Sequence, residues 1–210
     1  MEEQKNVFEP SEITPCPAIM NIQRIRNFCP DEFNYGEQIV SYEELDIYDC
    51  NYDKIEELFE DSVRLEIDRI IKVYNPYLKK SFELKRHLHY GNIQPTRLFH
   101  GTKENYVQSI CEFNFNWRYF GRERGHRYGK GVYFTSSPSF ASFFCDKGTT
   151  KKVMILADVL VKNKCRGNEN LVVPPLGYDT AIAETDDGSV YVKFEDNEFY
   201  PAYIIHCIRI

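Results

Sequence analysis

The ten residues VMILADVLVK, at 153–162, constrain the fold of this chain more than any other feature of its sequence. They are almost all apolar and several are β-branched, which favours a strand over a helix. Because neither face of such a strand is polar, it belongs in the interior of a domain. The run is too short to cross a membrane as a helix, which takes about 20 residues. The sequence therefore predicts a globular domain with a buried strand and no membrane partner.

Further β-rich segments surround this run in the second half of the chain, with two short helices between them. The predicted strands are RLFHG at 97–101, GVYFTS at 131–136, SVYVKFED at 189–196 and AYIIHCIRI at 202–210. The predicted helices are Glu104–Phe113 and Pro138–Cys145. Consecutive strands joined by short connections favour antiparallel pairing.

The first half of the domain is predicted to be mainly helical. A helix beginning at the N-cap Asp53 has an apolar stripe, formed by Ile55, Leu58, Phe59 and Val63. A strand follows at 65–73, and Asn75-Pro76 ends it. A second helix then begins at Pro76, with Leu78, Phe82 and Leu84 as its apolar residues. Helices first and strands afterwards predict an α+β fold with a mostly antiparallel sheet.

Two regions are expected along the 210 residues. Residues 1–45 contain several prolines and little periodicity, so they are expected to form an N-terminal extension, partly ordered or mobile. Residues 46–210 are long enough for one domain of ordinary size.

Charge and cysteine content limit the partners and the compartment. The net charge is −6, whereas proteins that bind nucleic acid are usually basic, so nucleic acid is an unlikely partner. The seven cysteines are scattered and show no zinc-binding spacing. The polar N-terminal stretch has no signal-peptide core, so reduced cysteines and an intracellular location, cytoplasmic or nuclear, are expected.

Two short motifs contain residues that suit ligand binding. In LFHGT, at 98–102, Gly101 permits close approach to the backbone, and His100 can bond to hydroxyl groups. In YGKGVYF, at 128–134, two glycines precede Tyr133 at the start of a strand. Taken alone, LFHGT is more often an ordinary turn, whereas YGKGVYF is as consistent with a hairpin loop as with a loop over a ligand.

Read in order, the motifs resemble the catalytic domain of the poly(ADP-ribose) polymerase (PARP) family, and most closely its mono-ADP-ribosylating, TIPARP-like branch. The ordered set runs LFHGT, NFNWR, YGKGVYF, FFC, VMILADVLV, VVPPLGYDT and SVYVKFEDNEFYPAYII. The resemblance covers residues 46–210 and implies the ADP-ribosyltransferase fold, a split, mostly antiparallel sheet with flanking helices. It also implies NAD⁺ as co-substrate and no metal.

The resemblance implies a role for each matching residue. His100 is expected to hold the ribose hydroxyls of NAD⁺, and the backbone of Gly101 to pair with the nicotinamide carboxamide. Thr102 is expected to face the adenosine side. Tyr133 is expected to lie under the nicotinamide ring, with Phe144 as the second stacking aromatic residue.

The third position of the family's triad falls on Val190. Polymer-forming relatives have a glutamate there, whereas mono-transferring members have an apolar residue. A valine cannot polarise a hydroxyl group for chain growth, so the sequence predicts transfer of single ADP-ribose units to protein acceptors, including this protein itself. Glu195 and Glu198, in the turn after this strand, are expected to face solvent.

Two further features bear on activity. The family's usual serine, which donates a hydrogen bond to the carboxamide, is replaced by Ala141, with Ser139 and Ser142 nearby. This leaves open a catalytically inactive, PARP-like binding or scaffold module. A basic segment at 118–130 contains Arg122, Arg124, Arg127 and Lys130, which are expected either to meet a pyrophosphate or acidic acceptor or simply to be solvated.

Two other classes fit less well. A toxin-type ADP-ribosyltransferase would be expected to rely on a late glutamate and an arginine, and the motif order fits that lineage poorly. An RNA-binding protein would be expected to have a basic face and zinc modules.

Overall fold

The computed structural model describes residues 40–59, 64–119 and 127–210. Residues 1–39 of the expected N-terminal extension lie outside the described ranges, as do Val63, Arg122 and Arg124. The strands are β1 Ser41–Glu44, β2 Leu65–Tyr74, β3 Thr96–Thr102, β4 Val132–Thr135, β5 Lys151–Val159, β6 Lys164–Arg166, β7 Thr180–Thr185, β8 Gly188–Lys193 and β9 Phe199–Arg209. The α-helices are α1 Cys50–Glu56, α2 Pro76–Tyr90, α3 Glu104–Phe113 and α4 Pro138–Ser142, with 3₁₀ turns at Glu57–Phe59 and Trp117–Tyr119.

The strands form one nine-stranded sheet in the order β1-β2-β9-β5-β3-β4-β8-β7-β6. Every neighbouring pair is antiparallel except β6 with β7. Strand β5, from the apolar run, lies between β9 and β3, and its residues 152–157 are buried. The prediction of an α+β fold with a mostly antiparallel sheet is confirmed.

The sheet is barely continuous where β3 meets β4. The two strands are paired at a single position, Phe99 with Thr135. By contrast, β3 pairs with β5 along its whole length. The backbone beyond Phe99, at His100 and Gly101, therefore has a sheet partner on the β5 side and no ladder partner on the β4 side.

Helix α1 begins earlier and ends sooner than predicted. Its N-cap is Asp49, whose side chain accepts from the backbone N–H of Asn51, and not Asp53. The chain tightens into a 3₁₀ turn after Glu56. Ile55 and Phe59 are buried as predicted, but Leu58 is partly exposed because the tighter turn rotates it away from the core.

Helix α2 follows the predicted bounds closely. The side chain of Asn75 accepts from the N–H of Leu78, and Gly91 ends the helix in the left-handed conformation. Leu78 and Phe82 are buried, whereas Leu84 is exposed. Assigning Leu84 to the apolar face was wrong, because two residues along a helix is about 200° around its axis.

Three strands were not predicted: β1 and β6, which are the two edges of the sheet, and β7, which lies next to β6. The four residues of β1 are exposed and carry no alternating pattern, and β6 has only three residues. Strand β7 is held by its pairing with β8. Strand β1 lies upstream of residue 46 and joins the sheet through β2.

Buried side chains fill both sides of the central strands. The largest group packs α1 and α2 against β2, β5 and β9. A second group, rich in aromatic rings, lies under β3 and β4 and includes Phe115, Phe134 and Phe199. No helix in the described part of the chain is long and apolar enough to span a bilayer.

Candidate active site

His100 lies near the end of β3 and is held by β4. Its Nδ1 atom is 2.8 Å from the carbonyl oxygen of Tyr133. A carbonyl can only accept, so Nδ1 must carry the proton in this contact. Burial lowers the pKa of His100 below its usual value, against a smaller opposite effect of the carbonyl. The ring is therefore neutral at physiological pH, and its Nε2 atom keeps a lone pair for a hydroxyl donor.

Two aromatic rings pack against the imidazole of His100. The ring centroid of Phe115 lies 4.9 Å from that of His100 in an edge-to-face arrangement, and that of Phe134 lies 5.8 Å away. Phe115 in turn contacts Phe134 and Phe199. Phe115 was assigned no role from the sequence. Its place in the NFNWR motif, which stands next to the LFHGT motif in the family's order, was the only signal that could have drawn attention to it.

Tyr133 has its hydroxyl group fully engaged within the chain. The hydroxyl donates to the carbonyl of Gly129 at 2.7 Å and accepts from the N–H of Tyr128 at 3.0 Å. Burial raises the pKa of Tyr133 to about 12. These bonds leave the ring face of the half-buried side chain as the part of Tyr133 that can contact a ligand.

Gly101 stands where no larger residue fits. A Cβ atom at this position would lie 1.8 Å from the carbonyl oxygen of Ala141 and 3.2 Å from Cβ of Phe144. The structure therefore brings Gly101, Ala141 and Phe144 together. Phe144 is 42% exposed, and its ring packs loosely against Phe140 at 5.5 Å. An exposed aromatic ring beside a glycine is a surface on which a planar ligand can stack.

Ala141 itself turns inward. It is 1% exposed and its side chain belongs to the main core group. The neighbouring hydroxyl of Ser142 donates to the carbonyl of Ser139 at 2.7 Å within helix α4. Neither Ala141 nor Ser142 therefore presents a free donor in this conformation. Thr102, the residue after Gly101, is also buried.

Val190 occupies the third predicted triad position on β8. It is 1% exposed and pairs with Thr135 of β4 and Ala183 of β7. The nearby Ser189 donates to Glu184 on the exposed side of the β7–β8 hairpin. The side chain of Val190 has no oxygen atom that could accept a proton from a hydroxyl group.

In the described part of the basic segment, Arg118 already makes contacts within the chain. Arg118 makes a two-pronged ion pair with Asp196, at 3.0 and 3.2 Å, and stacks over Trp117. Arg127 is exposed. Residues 120–126, with Arg122 and Arg124, lie outside the described ranges.

Glu198 differs most from its predicted environment. It was expected to face solvent but is 3% exposed. Its carboxylate accepts from the hydroxyl of Tyr90 and lies 3.2 Å from Nζ of Lys193. Its partners are Tyr90, which is 108 residues away along the chain, and Lys193 at the end of β8. The residues that flank Glu198 therefore gave no sign that it is buried. Glu195, by contrast, forms an exposed ion pair with Lys85.

Metal ligation was not expected from the sequence. Among residues 40–59, 64–119 and 127–210, no three His, Cys, Asp or Glu side chains are grouped as a metal site would require. The chemical groups gathered at the β3–β4 opening are instead a neutral imidazole, two aromatic rings and a glycine backbone.

A comparison with protein families gives one matching family model. The model of the poly(ADP-ribose) polymerase catalytic domain matches residues 49–188. This range includes α1 through β7 and contains His100, Gly101, Tyr133, Ala141 and Phe144, but not Val190.

Curated relatives carry the same enzymatic name. The chain is 37% identical over 120 residues to the human protein mono-ADP-ribosyltransferase PARP12. The aligned region covers 54% of this chain and 17% of that protein. It is 29% identical over 187 residues to mouse PARP11, covering 73% of this chain and 56% of the relative. It is 30% identical over 161 residues to mouse PARP10, covering 70% of this chain and 17% of the relative. The chain thus spans less than a fifth of PARP12 and PARP10 and about half of PARP11.

Proposed function

The chain belongs to the family of the poly(ADP-ribose) polymerase catalytic domain, and from that premise we propose that it transfers single ADP-ribose units from NAD⁺ to protein side chains, releasing nicotinamide. The relatives reported above are named protein mono-ADP-ribosyltransferases, which supports this activity. We assign the transferase domain to residues 46–210, with β1 immediately upstream as part of its sheet.

The observation that carries the proposal is the grouping of His100, Tyr133 and Gly101 at the one-pair junction of β3 and β4. His100 is bonded to the backbone of Tyr133, and Gly101 is wedged against helix α4. His100 and Gly101, from the LFHGT motif, are thus brought next to Tyr133, which comes from the separate YGKGVYF motif.

In the proposed complex, the nicotinamide ring lies between the rings of Tyr133 and Phe144. The backbone of Gly101 pairs with the carboxamide, and the neutral Nε2 of His100 accepts from a ribose hydroxyl. Thr102 lies towards the adenosine side. Stacking and hydrogen bonds of this kind orient the nicotinamide–ribose bond for attack, and orientation is a large part of catalysis when no acid or base is present.

In the reaction, the bond between the anomeric carbon of ribose and the nicotinamide nitrogen breaks with that electron pair leaving on nicotinamide. A nucleophilic side chain of the target protein then forms the new bond to the anomeric carbon and loses its proton. Because Val190 cannot accept that proton, the acceptor must supply a ready nucleophile or its own base.

Thermal unfolding in the presence of NAD⁺ tests whether the site is intact. A ligand that binds only the folded state stabilises it by about 1.4 kcal/mol at ~10 times its Kd, which corresponds to roughly 3–6 °C in Tm for a domain of this size. We expect such a rise with NAD⁺ or nicotinamide, and none with nicotinic acid, whose carboxylate lacks the amide donor. An unchanged Tm at millimolar NAD⁺ would argue strongly against the site.

Restoring a serine at position 141 is expected to tighten NAD⁺ binding several-fold. An added hydrogen bond to the carboxamide is worth on the order of 1 kcal/mol. Titration of Ala141→Ser with NAD⁺ by calorimetry measures the effect, with Ser142→Ala as the control for the neighbouring hydroxyl. Unchanged or weaker binding would show that another group already serves the carboxamide, or that position 141 does not correspond to the family's serine.

The second candidate is a catalytically inactive module of the same fold. The buried methyl group of Ala141 and the internal hydrogen bond of Ser142 favour it. The intact His100, Gly101 and Tyr133 favour the enzyme. Incubation with labelled NAD⁺ followed by mass spectrometry separates the two: the enzyme yields single ADP-ribose additions, whereas the inactive module binds NAD⁺ without labelling.

The remaining assignments follow from the proposed activity. Protein acceptors, including this chain, are the proposed partners, and nucleic acid is not among them. We place the activity inside the cell, in the cytoplasm or the nucleus, where NAD⁺ is available.

A further inference from the structure

The orientation of the Tyr133 ring depends on a backbone segment that lies outside strand β4. The hydroxyl group of Tyr133 bonds to the N–H of Tyr128 and to the carbonyl of Gly129. Because hydrogen bonds weaken steeply when their geometry is lost, a ring tethered in this way keeps its orientation only while those backbone groups stay in place. Whatever holds residues 128–131 therefore also sets the ring face that is offered to a planar ligand.

A short turn after strand β6, residues 167–171, packs against this segment. The N–H of Lys130 donates to the carbonyl of Leu171 at 2.8 Å. At the other end of the turn Gly167 faces Tyr128. A Cβ atom at position 167 would lie 2.7 Å from the carbonyl oxygen of Tyr128 and 2.8 Å from its Cβ atom. Both ends of the turn thus contact the segment that tethers Tyr133.

The turn is attached to the sheet and closed by its own hydrogen bonds. The N–H of Gly167 donates to the carbonyl of Ile182 on β7 at 2.9 Å, and the N–H of Leu171 donates to the carbonyl of Asn168 at 3.2 Å. The side chain of Asn168 accepts from the N–H of Asn170 at 3.0 Å, which is the bond of an Asx turn. Residues 167–171 therefore form a defined support for the segment beside them.

Apolar side chains fill the space between the turn and the tyrosine. The turn, the segment and the tyrosine all contribute to one packed group, which includes Tyr128, Tyr133, Leu171, Val192 and Phe194. The ring of Phe194 also lies against Gly129, where a Cβ atom would come within 2.7 Å of it. Interiors packed this closely transmit a displacement to their neighbours. A shift of the turn is therefore passed on to the ring of Tyr133.

We propose that the turn at 167–171 positions Tyr133 for nicotinamide, with Gly167 as the residue that sets the distance between the turn and Tyr128. This role rests on the proposed NAD⁺ site, because it concerns the ring that stacks on nicotinamide there. Gly167 is assigned no contact with NAD⁺, so it acts through Tyr128 and the hydroxyl tether of Tyr133. Binding of nicotinamide should depend on Gly167, whereas binding of the ADP-ribose part of NAD⁺ should not.

Calorimetric titration of Gly167→Ala with nicotinamide and, separately, with ADP-ribose tests the proposal. Non-bonded heavy atoms settle about 3.5–4.0 Å apart, so the added methyl group must push Tyr128 away by roughly 1 Å. We expect nicotinamide to bind about tenfold more weakly, because stacking depends on ring geometry, and ADP-ribose to bind within about twofold of its affinity for the unmodified protein. Equal weakening of the two ligands, or no weakening of nicotinamide, would overturn the positioning role.

A double-mutant cycle tests whether Gly167 acts through the tether. Tyr133→Phe keeps the ring and removes the hydroxyl group, and it should weaken nicotinamide binding several-fold. If the turn acts through that hydroxyl group, adding Gly167→Ala to Tyr133→Phe should weaken binding by no more than about a further twofold, because coupled residues do not contribute additively. A further loss as large as that of Gly167→Ala alone would refute the assigned route.

Asn168→Ala tests the turn even if Gly167→Ala proves unstable. The change opens the Asx turn at an exposed position, and it should weaken nicotinamide by about threefold with ADP-ribose unchanged. The matched control is Glu169→Ala, at the exposed neighbouring position, which should change neither affinity. Unchanged nicotinamide affinity in Asn168→Ala would refute the role of the turn alone. Absence of nicotinamide binding by the unmodified protein would overturn the proposed NAD⁺ site and the positioning role with it.

Discussion

Replacement of His100 by alanine is expected to abolish self-labelling with ADP-ribose. In the proposed complex the imidazole supplies the acceptor for a ribose hydroxyl, and its Nδ1 atom is held by the carbonyl of Tyr133. Loss of a group that orients the reacting bond is expected to lower the rate by about a hundredfold or more, because a displacement of about 1 Å can already cost about 10²-fold. Incubation with labelled NAD⁺ and mass spectrometry of the intact protein measures the loss. Wild-type labelling by His100→Ala would refute the assigned role.

This variant needs a control for packing, because the His100 ring also contacts Phe115 and Phe134. Alanine will therefore also leave a small void, worth roughly 1–3 kcal/mol of stability. Phe115→Leu loosens the same group of rings without removing the imidazole and should keep most of the labelling. His87→Ala, at an exposed histidine on α2, should change neither stability nor labelling.

Local patterns were sufficient to predict the central elements of the fold. Strand β5 and helix α3 were predicted correctly because their own residues are apolar at the right spacing and their ends are marked by polar or turn residues. Strands β6 and β7 were not, since they are stabilised by pairing with one another and with β8. The residues that stabilise such a strand lie in other segments of the chain, so the strand's own residues show no periodic pattern.

The candidate site was predictable where motif and chemistry coincide. His100, Gly101 and Tyr133 could be assigned from family motifs, and the structure places them side by side. Phe115 could not be assigned, because its ring contacts the side chain of His100, which belongs to a separate motif. Glu198 was assigned wrongly, because a glutamate after a strand is usually exposed, and only the folded chain brings Tyr90 and Lys193 to it.

The products are expected to be single ADP-ribose units, with no polymer detectable. Chain growth requires activation of a ribose hydroxyl, a poor nucleophile that needs a positioned carboxylate. At the corresponding place Val190 offers only methyl groups and is buried between β4 and β7. The nearest hairpin carboxylate, Glu184, is bonded to Ser189 on the exposed side, so we expect Glu184→Gln to leave product length unchanged.

Val190→Glu alone is not expected to convert the protein into a polymerase. The new carboxylate would be buried, since Val190 is 1% exposed, and a buried polar group left unpaired costs roughly 2–7 kcal/mol or, for a carboxylate, forces protonation. Acceptor binding by the surrounding loops would also remain unchanged. Val190→Ile, which preserves the apolar surface, should keep both stability and single-unit labelling. Gel electrophoresis with and without a polymer-specific hydrolase measures chain length, and hydrolase-sensitive ladders from the unmodified protein would contradict the role assigned to position 190.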